Sequence, residues 1–112
     1  MFRDEQQTHR AIRTLLDTSG LGRYWTDTGP TEEAARLVEQ RGGALSAGEA
    51  LLVVVGFDLW NGRGGADFGR VAHTLGSDAL AALGSLLVAM SNPDEGAIDG
   101  WIARTARPSS PR

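Results

Sequence analysis

Residues 45–65, L-S-A-G-E-A-L-L-V-V-V-G-F-D-L-W-N-G-R-G-G, form a segment that is apolar on every side and then breaks at an aromatic, glycine-rich corner. Ser46 and Glu49 make a capping box: the serine hydroxyl accepts from the backbone N–H of Glu49, and the glutamate reaches back to that of Ser46. The spacing predicts a helix over about 46–61. The competing reading is a strand, because L-L-V-V-V is continuous and β-branched. The box immediately before the run, and the lack of a second strand candidate to pair with it, favour helix. A helix with no polar face must be surrounded, which makes this the central element.

The rest of the pattern is also helical. Ala11, Ile12, Leu15 and Leu16 form a stripe within a first helix from about Arg3 to Thr18, with Arg10, Arg13 and Asp17 facing water. Gly20 permits a turn past its end that lets Leu21 fold back on Leu16. Residues 22–30 read as a loop carrying Tyr24 and Trp25. Thr31 caps a second helix, with Glu32 and Glu33 in its positive first turn and Leu37 and Val38 facing inward. Gly42 and Gly43 stop it. Asp67 caps a fourth helix, where Phe68, Val71, Ala72 and Leu75 share a face. Ser77 starts a fifth, largely buried through Leu80, Leu83, Leu86, Leu87 and Met90. Asn92, Pro93, Asp94 and Glu95 combine a cap, an N1 proline and first-turn acids ahead of a sixth helix carrying Ile98, Trp101 and Ile102. The fold class is therefore all-α: a single-domain bundle of five to six short helices over 1–104, with a flexible basic tail at 105–112.

Composition narrows the function classes. A chain of 112 residues supports one core. The net charge of −3 gives no global basic field for nucleic acid. With no cysteine there is no disulfide, thiolate zinc site or cysteine nucleophile. The N-terminus lacks the apolar core of a signal peptide, and the run from Ala50 to Val55 is far shorter than a membrane span. A cytoplasmic, membrane-free protein without cofactor or metal is the expectation.

Candidate chemistry concentrates at W-N-G-R-G-G. Trp60 and Arg63 are residue types that anchor protein interfaces, and the glycines admit a partner's backbone. Alternatively, Trp60 plugs the core while Asn61 and Gly62 stop the helix; Arg63 has no packing duty and is the better functional residue. Gly62 to Gly65 before a helix resembles a phosphate cradle, but no G-K-[ST] follows and Asp67 places a carboxylate where the anion would sit. D-F-G at 67–69 lacks every other kinase element, lysine included. Asp58, the one acid inside the apolar helix beyond its capping turn, calls for a partner such as Arg23, Arg63 or Arg70, orienting the helix end. His9 and His73 read as solvated surface histidines. Trp101 reads as core. Trp25, in a polar loop, either closes the core as a lid or is presented to a partner.

The stretches F-D-L-W-N-G-R-G-G to H-T-L-G and N-P-D-E-G-A-I-D-G-W-I resemble a pair of EF-hand helix–loop–helix units. Gly96 and Ile98 match the turn glycine and the apolar eighth position. The first, third and twelfth positions are Ser91, Pro93 and Ile102, so the bidentate acid is absent. The resemblance covers about half the chain and implies at most a metal-free helical arrangement.

The function expected is a small non-enzymatic interaction protein (an adaptor, inhibitor or accessory subunit) binding a protein through Tyr24, Trp25, Trp60, Asn61 and Arg63. Asp58, Ser46 and Glu49 are its structural polar residues. One alternative is a homo-oligomer burying the same surface against itself. Another is a nucleic-acid accessory using Arg10, Arg13 and Arg70 with the tail. The last is an enzyme pairing Asp58 with His73 or an arginine.

Overall fold

The computed structural model describes residues 5–40, 45–94 and 96–106. Among them the chain forms six helices: α1 Glu5–Asp17, α2 Glu32–Gln40, α3 Ala47–Asn61, α4 Phe68–Thr74, α5 Ser77–Ser91 and α6 Gly96–Thr105. The bundle is all-α apart from a short 3-10 turn, Gly22–Tyr24, and one antiparallel pair of two-residue strands, β1 Trp25–Thr26 and β2 Gly29–Pro30.

The central helix forms as its sequence dictates. Both arms of the capping box are closed, Glu49 N–H to Ser46 Oγ at 3.1 Å and Ser46 N–H to Glu49 Oε1 at 3.0 Å. The apolar run is helix rather than strand. Leu51, Leu52, Val53, Val55 and Gly56 are buried, while Val54, Phe57, Leu59 and Trp60 pack against the core from the flanks. It packs on α1, α2 and α4, so partners surround it. Gly62, at φ +73, takes the left-handed conformation that ends it.

Helix α1 buries the expected Ala11, Ile12, Leu15 and Leu16, and also Gln7, Thr8 and His9 one turn earlier. After it, the Leu21 N–H bonds the Leu16 carbonyl at 3.0 Å, folding Leu21 into the core. The Thr31 hydroxyl accepts from the Ala34 N–H, capping α2 as expected. Helix α6 packs on α1 and α5, burying Ile98 and Trp101, whose indole N–H donates to Ser85 Oγ at 2.8 Å.

Several local expectations are corrected. Residues 25–30 are a miniature hairpin, not an open loop; its pairing of Trp25 with Pro30 turns Trp25 inward. In α4 only Val71 and its C-cap Leu75 are buried; Phe68 and Ala72 are exposed, since this short helix makes its main contact with α3. Gly76, not Ser77, is the N-cap of α5, and no side chain caps that end. Leu87 on α5 is exposed. Asn92 closes α5, and Asp94 satisfies the start of α6, its carboxylate accepting from the Gly96 N–H at 2.9 Å. Helix α6 runs through Thr105, one residue into the segment expected as tail. The Gly42–Gly43 stop, Glu95 and the remaining tail beyond 106 lie outside the described residues.

Candidate functional site

The corner after α3 is organised by Asp58. Its Oδ1 accepts the backbone N–H groups of Gly64 at 2.8 Å and Gly65 at 3.0 Å, and its Oδ2 accepts that of Ala66 at 2.8 Å. The ion pair expected with an arginine is replaced by these bonds to the loop backbone. The reason is geometric. The left-handed turn at Gly62 sends the chain back over the last turn of α3, aiming consecutive N–H groups at the carboxylate. Gly64 has no room for a side chain, since a Cβ there would collide with the Val54 carbonyl oxygen and lie 2.9 Å from the Asp58 carboxylate. A phosphate would have to displace Asp58 from donors it already fills. Asn61 is exposed and its Oδ1 accepts the backbone N–H of Arg63 at 3.0 Å; Arg63 is exposed as well.

The aromatic residues gather inside. Trp25 is 1% exposed, and its indole N–H donates to His9 Nδ1 at 3.1 Å. Because that nitrogen accepts, the imidazole proton in this arrangement is assigned to Nε2, 3.7 Å from Glu5 Oε2. Phe57 meets Trp25 edge-on at 5.2 Å between ring centroids, and Trp60 closes the cluster at 6.1 Å from Trp25. The Trp60 indole N–H points to Glu5 Oε2 at 3.4 Å. Tyr24 is buried too, with the Arg23 guanidinium over its ring and donating to its hydroxyl at 2.9 Å. Trp25 and Tyr24 therefore present almost no accessible surface to a partner; Trp60 is half-buried, and Asn61 and Arg63 are exposed. His9 is 3% exposed, a core histidine rather than a surface one. His73 is exposed on α4 as expected, and the Asp58 hydrogen bonds go to the loop rather than to it.

Beside the corner the structure opens a groove that sequence reasoning missed. Val55, Leu59, Ala66, Phe68, Val71, Leu83 and Leu87 line a cavity of about 170 Å³ whose polar margin is Asp58. Of the large apolar side chains standing exposed among the described residues, Phe68 at 83% and Leu87 at 41% line this groove, and Val88 at 70% is the neighbour of Leu87 on α5. Their signal was present in the sequence as an apolar periodicity, which does not say whether a neighbouring element covers the face.

The other chemistries find less support. Arg10 pairs with Asp99 at 3.1 Å and Arg13 approaches Asp27 at 3.7 Å, so two arginines of the expected nucleic-acid face are matched by acids. Among the described residues no group of three or more His, Asp or Glu side chains is arranged to hold a metal ion. The EF-hand-like spacing is not realised as an ion loop, because α5 ends at Ser91 and α6 already begins at Gly96, too soon for a twelve-residue loop. No described helix is long and apolar enough to cross a membrane. No family model, curated protein or solved structure matches this chain.

Proposed function

We propose that the chain is a small non-enzymatic protein-interaction module, an adaptor, inhibitor or accessory subunit. Its docking surface centres on the groove lined by Phe68 and Leu87, with Val88 beside it on α5, and takes in the exposed Asn61 and Arg63 of the loop that supplies Ala66 to the groove. The observation that carries this reading is that two of the exposed large apolar side chains, Phe68 and Leu87, line one groove, with the third, Val88, next to Leu87 on α5. Scattered exposed apolar residues are ordinary, whereas contiguous ones bordering a cavity mark interaction surfaces. A cavity of about 170 Å³ has space for one apolar side chain of a partner, the size of contact that anchors an interface. Internal commitments of the polar groups support the same reading: Asp58 is saturated by the loop, and His9 is engaged in the core.

The test is affinity capture of the tagged protein from its native cell beside an Arg63→Ala/Phe68→Ser double variant whose folding is verified by circular dichroism. One stoichiometric protein retained by the wild type and lost from the variant is the expected result. Retention of nothing, or of a protein indifferent to both substitutions, would overturn the reading.

A further inference from the structure

Helix α5 has two unlike sides. Ala79, Leu83, Leu86 and Ala89 are buried, while Ser77, Ala81, Gly84, Val88 and Ser91 form an exposed ridge opposite them. From Ala79 to Asn92 the sequence holds no charged residue, so this exposed face is uncharged along its length. Leu87 flanks the ridge and joins it to the Phe68 groove. We propose that this face seats a second copy of the chain, in a two-fold antiparallel pairing of α5 on α5. The inference rests on the reading that this side of the molecule docks protein, and it names the occupant.

Three features select a second copy. The first is register: the exposed ridge repeats at spacings of 4, 3, 4 and 3 residues, which is nearly symmetric about Gly84. A dyad there sets Ser77 of one copy opposite Ser91 of the other, and Val88 opposite Ala81 at both ends, bulky against small. At the dyad itself, a Cβ placed on Gly84 would meet nothing within 4 Å, so the chain's own atoms leave the helix backbone open to close approach.

The second feature is handedness. A two-fold axis that reverses the helix direction keeps like flanks together, so Leu87 and Phe68 of both copies fall on the same side of the contact and merge their exposed apolar area. The third is size. Phe68, Val88 and Leu87 together expose on the order of 300 Å². With the helix face between them each copy buries roughly 500 Å², or about 1,000 Å² in total, the lower bound for a specific interface. Such a dimer is reversible and depends on concentration. Asp78, the sole charge on α5, lies at the outer end of the pairing and meets no like charge at its centre.

Sedimentation of the pure full chain from about 10 µM to about 1 mM tests the pairing. The apparent mass is expected to rise from 11.9 kDa toward twice that value. The chain has no cysteine, so single thiols report proximity cleanly. Under mild oxidation Gly84→Cys is expected to form a disulfide dimer at least about tenfold faster than Glu39→Cys on the exposed face of α2. Val88→Asp, at a position too exposed to matter for folding, is expected to abolish both signals. An unchanging mass with equal oxidation rates, or a dimer that survives Val88→Asp, would overturn the proposal. A monomer that still captures a foreign protein through Phe68 removes the second copy as occupant and leaves the docking reading standing. A monomer that captures nothing removes both.

Discussion

Replacing Asp58 with alanine takes one carboxylate from the protein and leaves three backbone N–H groups without their acceptor. Hydrogen bonds to a charged group are worth about 1.5–3 kcal/mol each when well sheltered. Here shelter is partial: the Gly64 and Ala66 bonds are part-buried, while the Gly65 N–H is exposed and turns to water when the acceptor goes. The expected loss is therefore about 2–4 kcal/mol, set mainly by the two part-buried donors. For a domain of this length that is roughly 10–20 °C in Tm. Urea denaturation followed by tryptophan fluorescence measures it, with the midpoint falling by about 1–2 M. Asp58→Asn keeps one carbonyl oxygen but turns an amide N–H₂ toward one of the donors, so an intermediate loss is expected. Hydrogen exchange at residues 64–66 should accelerate in step with the loss of stability. A variant within about 0.5 kcal/mol of wild type, or unchanged protection of those amides, would show that the carboxylate does not hold the loop.

Trp25→Phe retains an aromatic ring but removes the donor to His9 Nδ1; thermal denaturation is expected to show a loss of about 1–2 kcal/mol. Two glycines should behave oppositely. Gly64→Ala drives a Cβ into the Val54 carbonyl and is expected to destabilise by about 3 kcal/mol or more, whereas Gly84→Ala, in open space inside a helix, should stabilise by up to about 1 kcal/mol in dilute solution. Equal effects would contradict the packing described at residue 64. Phe68→Ser is expected to leave the stability measured by urea denaturation within about 0.5 kcal/mol of wild type, because 83% of that residue is already exposed; a large loss would place it in the core.

What the sequence disclosed, and what it hid, divides along physical lines. The capping box at Ser46 and Glu49 and the Thr31 cap act over three residues, so they were readable and correct. His9 was missed although it extends the buried positions Ile12 and Leu16 back by one turn; a polar residue type masked a periodic position. Trp25 is buried by strands of two residues each, too short to leave an alternating pattern. Asp58 signalled a need for compensation, and arginine was the obvious partner by charge. The loop G-R-G-G-A supplied backbone donors instead, which residue identity does not advertise. The corner's Asn61 and Arg63 were legible as exposed. The Phe68, Leu87 and Val88 surface was not, since periodicity marks an apolar face but tertiary packing decides whether it is covered.

Photo-crosslinking inside the native cell, with p-benzoylphenylalanine replacing Val88, shows whether that surface is occupied by protein. A discrete adduct is expected, either a second copy of the chain or one other protein. It should be lost when Phe68→Asp is added, and absent when the same probe replaces Ala103 on the exposed side of α6. A chain that stays uncrosslinked at Val88, or crosslinks equally from Ala103, would mean that the α4–α5 face is bare and that the interaction reading fails.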